Sequence, residues 1–178
     1  IELDCAARVA EHAGVPSTVL PIDTFRALGG NALTDDAIGV DAAPAGALPA
    51  TFVPGRNLIF LTCAAAWAWP RDVVNLVTGV AQTDYSGYPD CRRETIDALE
   101  KTLNLGMERA FRVHTPLMDL SKRETVLLAR DLGALDAMAL THTCYEGQRP
   151  PCGQCQSCEL RARGFAEAGI EDPLTAGQ

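Results

Sequence analysis

Apolar residues recur at helical spacing from the start of the chain, where Leu3, Ala6, Ala7, Val9 and Ala10 share one face of a segment running from Glu2 to Ala13. Gly14 closes it. The β-branched and aliphatic run Ser17 to Ile22 predicts a short buried strand. From Asp23 to Ala50 the periodicity lapses into Gly, Ala, Asp and Pro, which predicts a long loop acting as a flap over a site. After Pro54-Gly55-Arg56-Asn57, residues 58–69 form a helix with apolar residues on all sides. Asn57 is its expected N-cap, Pro70 its stop, and burial its expected fate.

Val73 to Val80 is the strongest strand signal, a near-continuous Val/Leu run expected to be covered on both faces. Arg92 to Leu105 is amphipathic, with Ile96, Leu99 and Leu103 inward and Glu94, Asp97, Glu100 and Lys101 outward, and with Asp90 as its expected cap. Phe111 to His114 is a brief second strand candidate. Ser121-Lys122-Arg123-Glu124 fits a capping box, opening a helix that runs through Val126 to Leu132 and stops at Gly133. Helices and strands alternate. That order predicts an α/β fold, a parallel sheet covered by helices, with ligands at the carboxyl ends of its strands.

At 178 residues and 47% hydrophobic content the chain can bury one ordinary core. A net charge of -8 disfavours a nucleic-acid-wrapping role and suits a small polar substrate. No stretch reaches the roughly 18 apolar residues of a membrane span, and no basic segment precedes an apolar one at the start. The expectation is a soluble, cytoplasmic protein without a membrane or nucleic-acid partner. Because Ile1 opens directly onto a helix, the chain is also expected to begin inside a longer protein.

Of the seven cysteines, Cys144, Cys152, Cys155 and Cys158 are separated by seven, two and two residues, with Gly147, Pro150, Pro151 and Gly153 bending the backbone between them. Such spacing lets thiolates converge on one ion, and four sulfurs closed to water are the structural type of zinc site. Two disulfides are the bland alternative, disfavoured in a reducing compartment. A [4Fe–4S] cluster is the sharper one, weakened by the absence of Pro after the last cysteine and by an upstream fourth ligand. Cys5 and Cys63 lie on apolar helices and read as core residues. His12, His114 and His142 share no spacing and receive no catalytic role.

Thr78 to Arg92 follows the strongest strand and gathers Asp84, Tyr85, Ser86, Tyr88, Asp90 and Arg92, a set suited to a flat nitrogenous ring plus an anion. A Gly/Pro turn with an N-cap is the plainer reading of the same residues. Arg56 and Asn57 beside a helix start suit an anion or a cap. Lys122, in a first helical turn, reads more readily as a solvated surface lysine, and Cys91 lacks a neighbouring base in sequence.

Phe52-Val53-Pro54-Gly55-Arg56-Asn57, Thr83 through Arg92, Thr115-Pro116-Leu117-Met118 with Ser121-Lys122 and Glu124, and Thr143-Cys144-Tyr145 with the three-cysteine run resemble the 7-cyano-7-deazaguanine synthase family in order and spacing over residues 2–165. The resemblance implies a Rossmann-like sheet of the ATP-pyrophosphatase type over residues 1–140 and a zinc-binding tail over 141–178. It implies a C–N-bond-forming ligase that converts 7-carboxy-7-deazaguanine and ammonia to the 7-cyano compound in queuosine biosynthesis, with ATP and Mg²⁺. Cys144, Cys152, Cys155 and Cys158 would be the zinc ligands. Asp84, Arg92 and Lys122 would be catalytic, and Arg56, Asn57, Tyr85, Ser86, Tyr88 and Asp90 would touch substrate. A homodimer is also implied.

The family's Ser-Gly-Gly-x-Asp-Ser phosphate loop has no counterpart in this sequence, where Gly29-Gly30 is the sole Gly pair. These 178 residues alone are therefore expected not to turn over ATP. The competing readings are a tRNA-thiolating relative with an iron–sulfur cluster and a non-catalytic zinc module.

Overall fold

In the computed structural model, residues 1–35, 37–40, 48–82 and 87–176 are described. The elements in order are α1 (Glu2–His12), α2 (Thr24–Leu28), α3 (Arg56–Ala68), β1 (Asn75–Val77), α4 (Arg93–Met107), β2 (Arg112–His114), α5 (Lys122–Asp131), α6 (Leu135–Met138) and α7 (Gln156–Ala168). Contacts divide the chain into one unit of Ile1–Asp41 with Ser121–Gln178 and another of Ala42–Leu120. No helix among the described residues is long and apolar enough to cross a membrane.

In the unit Ala42–Leu120, β1 and β2 pair in parallel with Asn75 opposite Arg112, Leu76 opposite Val113 and Val77 opposite His114. The expected parallel sheet is present, shorter than its hydrophobic run. Ala65, Ala68, Leu76, Leu103 and Phe111 form one buried cluster, and Leu61, Val80, Ile96 and Met118 a second, with Leu99 and Val113 packed against both. Both clusters draw on α3 and α4, so helices cover the Leu76 side of β1. Among the described residues nothing covers the opposite side, where Val77 is 70% exposed, so the expectation of a strand covered on both faces does not hold. Arg112 N–H donates to Val74 O within the sheet. The outward-pointing backbone on either side is met by α4: Asn104 Oδ1 accepts from Phe111 N–H at 2.6 Å and Glu100 Oε2 from Val113 N–H at 2.7 Å. Glu100, expected in solvent, instead satisfies a strand edge that would otherwise invite pairing.

Three further expectations are corrected. Ser17 to Pro21 is exposed, Ile22 is half-buried, and the run forms no strand, because a β ladder needs a neighbour and none pairs with it among the described residues. The helix after Pro54 starts one residue before Asn57, with Gly55 at the N-cap in a left-handed conformation at φ 72. Burial on all sides of α3 also fails: Phe60, Trp67 and Trp69 are exposed, the two tryptophans lying beneath the guanidinium groups of Arg71 and Arg109.

In the other unit, α1 buries only Cys5; of its expected apolar face, Leu3, Ala6 and Ala7 are exposed and Val9 and Ala10 half-buried. The capping box is present. Ser121 Oγ accepts from Glu124 N–H at 3.2 Å, and Glu124 Oε2 accepts from Ser121 N–H at 2.8 Å. The Ser121 backbone N–H, then its hydroxyl, hold the Glu124 carboxyl below the usual range, with nearby Arg123 adding to the effect. A depressed folded value contributes stability above the unfolded pKa that fades as pH falls through the folded one. Glu124→Gln is thus expected to flatten the acid limb of a stability-versus-pH curve measured by urea unfolding; an unchanged slope would contradict it.

Helix α7 lies against the start of α5 at Gly164, where a Cβ would stand 2.8 Å from Lys122 Cβ and 3.3 Å from its carbonyl carbon. Ala in place of Gly inside a helix normally gains up to about 1 kcal/mol. Here the obstacle includes backbone, and overpacking costs about 1–3 kcal/mol. Gly164→Ala should therefore lower the urea midpoint, and a higher midpoint would show that the two helices can separate freely.

Candidate functional site

The sulfurs of Cys144, Cys152, Cys155 and Cys158 all lie within 4.8 Å of one another. Local structure brings them there. Cys144 sits on the irregular chain after α6, and its carbonyl accepts from Gly147 N–H at 3.1 Å as the loop turns. Gly153 turns the chain between Cys152 and Cys155 at φ 74, a conformation glycine adopts without penalty. Cys155 is the N-cap residue of α7 and Cys158 lies in its first turn, where the helix N-terminus favours negative charge.

Four sulfurs about 2.3 Å from a central ion at tetrahedral angles stand about 3.8 Å apart, and Cys152 and Cys158 Sγ are separated by 3.9 Å. A disulfide needs about 2 Å, and all seven cysteines are free. The donor set therefore fits a metal ion. Cys144, Cys155 and Cys158 are buried, and backbone N–H groups of Cys152 and Cys155 point at the sulfurs of Cys144 and Cys152. Burial pushes the Cys144 thiol up, but N–H donors from Cys152, Gln148 and Glu146 outweigh it and bring it down to about 7. Burial, with Cys155 and Cys152 alongside, raises Cys158 to about 12. Four like charges in this space need a cation, whose binding would release the remaining protons.

Two supports were not legible in sequence. His142 Nε2 lies 2.9 Å from Cys144 O, and Arg149 Nη2 lies 2.7 Å from Cys5 Sγ, tying α1 to the cysteine loop.

The second candidate region follows the carboxyl ends of β1 and β2. Thr78 N–H donates to His114 O and Gln82 N–H to Met118 O, continuing the pairing of the two chains. Gln82 Nε2 donates to Asp119 Oδ1 at 2.7 Å, Arg93 N–H to Gln82 Oε1 at 3.2 Å, and Arg93 Nη1 to Thr115 Oγ1 at 2.9 Å. Arg93 also pairs with Asp119 at 3.6 Å. Neither Gln82 nor Asp119 carried a motif signal.

Asp90 is buried, and its Oδ2 accepts from both N–H and Nδ2 of Asn57 at 3.0 Å. It caps α3, not α4 as expected; the N-cap of α4 is Arg92, without a side-chain bond. Asn57 Nδ2 also reaches Cys91 Sγ at 3.3 Å. Tyr88 OH lies 2.6 Å from Thr51 Oγ1, and Arg92 Nη2 donates to Gly87 O at 3.4 Å. The structure thus brings Asn57, Tyr88, Asp90 and Arg92 together with Arg56 in one unit, whereas Lys122 opens α5 in the other. Asp84, Tyr85 and Ser86 lie outside the described residues.

Comparison with known proteins places this geometry in context. A family model described as Queuosine biosynthesis protein QueC matches residues 1–169. Relatives in Laribacter hongkongensis and Chromobacterium violaceum, both named 7-cyano-7-deazaguanine synthase, are 64% identical over 176 residues, which cover 98% of this chain and 77% and 75% of theirs. A Bradyrhizobium protein of the same name is 49% identical over 188 residues, covering 94% of this chain and 78% of its own.

Proposed function

The chain belongs to the queuosine biosynthesis protein QueC family, and from that premise we propose that the gene product carrying it converts 7-carboxy-7-deazaguanine, ammonia and ATP to 7-cyano-7-deazaguanine, the 178 residues alone not turning over ATP. The observation that carries this reading is the identity of 64% with proteins named for that product, over nearly the whole chain. A carboxylate resists attack because its oxygen leaves badly. Adenylate transfer to that oxygen, with pyrophosphate released, supplies a leaving group; ammonia displaces AMP to give the amide. A second adenylation, on the amide oxygen, lets AMP depart as the nitrile forms and two protons are lost.

Positioning and charge stabilisation dominate such chemistry. Arg56 and Arg92 are proposed to face anionic oxygens of the acid or the nucleotide, with Mg²⁺ on the phosphates. Asp84 is proposed to accept from the amidine-like edge of the ring and Tyr85 to stack on it, beside Ser86; Lys122 is proposed as a further cation for phosphate oxygens. Cys144, Cys152, Cys155 and Cys158 are proposed to hold one Zn²⁺, which leaves no open coordination position and so serves the fold of the tail, residues 141–178. A homodimer and a cytoplasmic setting complete the reading.

The gene encoding this chain, expressed in a bacterium deleted for its own synthase, should restore queuosine to tRNA. Absence of queuosine despite soluble expression would refute the assignment. Native protein should be colourless and contain one zinc per chain; a brown protein with iron would replace zinc with a cluster.

A further inference from the structure

Residues 87–92 approach α4 without a sheet ladder to hold them, yet two of their side chains are buried, Tyr88 at 8% and Asp90 at 5% exposure. Both reach back to the strip 51–57. Tyr88 OH is 2.6 Å from Oγ1 of Thr51, a residue only 1% exposed, and the Tyr88 ring centroid lies 5.6 Å from that of Phe52. Asp90 grips Asn57 through two bonds, and Thr95 Oγ1 donates to Pro89 O at 2.7 Å. Each bond to the strip spans more than thirty residues of sequence. Together they settle where the segment stands before any ligand arrives.

We infer that Thr51 is a positioning residue for substrate binding: its buried hydroxyl locks Tyr88 and, with the Asp90–Asn57 clasp, sets the Gly87 to Arg92 segment that presents Arg92. The inference rests on the proposed function and deepens it. It gives Tyr88 a place behind the site, because the phenol is spent on Thr51 and its ring meets Phe52, rather than a role stacking on the deazapurine. Valine at position 51 preserves shape but leaves the Tyr88 hydroxyl buried without its partner, so the segment must shift or open to water.

The test uses the zinc-loaded gene product and four variants: Thr51→Val, Thr51→Ser, Tyr88→Phe, and Thr51→Val with Tyr88→Phe. Thr51→Val should raise KM for 7-carboxy-7-deazaguanine roughly tenfold, with zinc content unchanged. Thr51→Ser should restore the parent value. Tyr88→Phe should reproduce the Thr51→Val effect, and the double variant should be no worse than either single one, since both remove the same bond. Wild-type turnover with an indifferent Thr51→Val overturns the positioning role alone, as does a double variant whose losses add or a Tyr88→Phe enzyme with parental KM. A wild-type protein that ignores the acid overturns the functional reading and this assignment with it.

Discussion

Cys155→Ala should abolish stoichiometric zinc binding and unfold the region from Cys144 through α7 at temperatures where the parent is intact. Cys155 is buried, caps α7 and is one of four sulfurs gathered within 4.8 Å. The loop from Cys144 to Cys155 has no strand or helix of its own, so little besides the proposed zinc would offset the entropy of ordering it. Structural zinc contributes about 10–16 kcal/mol of binding free energy in small zinc-finger peptides, most of it appearing as folding free energy. Loss of one thiolate leaves two buried sulfurs, the half-buried one of Cys152 and an open coordination position. Elemental analysis should find less than one zinc per chain, and calorimetry should show a transition that moves down as sharply as when a chelator strips the parent. A variant with full zinc and an unshifted transition would mean that Cys155 is no ligand.

Arg161→Ala should destabilise the Ser121–Gln178 portion by about 3–5 kcal/mol, the range for removing one partner of a buried ion pair. Arg161 Nε and Nη2 donate to the two carboxylate oxygens of Asp172 at 2.6 and 2.7 Å, Nη1 donates to Thr141 Oγ1 at 2.7 Å, and Nη2 donates to Met138 O at 3.0 Å. The two side chains are only 10% and 11% exposed. One guanidinium thus joins α7 to the end of α6, the residues before Cys144 and the tail at Asp172. Without it the carboxylate of Asp172 keeps the N–H of Leu174 among its donors but loses its countercharge. Arg161→Lys should recover only part of the loss, because an ammonium cannot reproduce the planar fork. Urea unfolding with equal slopes would read both values. A cost under about 1 kcal/mol for Arg161→Ala would mean that the pair behaves as an exposed one.

These two sites differ in how far they can be read from residues alone. The cysteines announce themselves because two-residue spacing brings thiols near one another whatever the rest of the chain does. Arg161 and Asp172 are eleven positions apart on a helix and beyond it, and nothing local marks them as partners. Asp90 makes the same point in the second region. Its place just before α4 suggests a cap for that helix, yet its carboxylate turns to Asn57, 33 residues earlier, because two N–H donors there outmatch the single bond a local cap supplies. Thr51 gave no signal at all, since a hydroxyl becomes a pin only when a buried phenol is folded against it.

The strands show the limit from another side. Val73 to Val80 reads as covered on both faces because apolar content reports a tendency to be buried, not the supply of neighbours. Only α3 and α4 are there to cover it, on one face among the described residues, and Val77 stays open. Ser17 to Ile22 has the composition of a strand but no ladder. Interactions between residues a turn apart, such as the Ser121–Glu124 box, the glycine-bent cysteine loop and the helical stripe of Ile96, Leu99 and Leu103, were therefore already written in the order of amino acids, because chain connectivity alone brings those groups within reach. Which carboxylate caps which helix, which arginine is buried, and which apolar face finds cover were settled only on folding, since each depends on distant segments competing for the same few donors and the same limited surface.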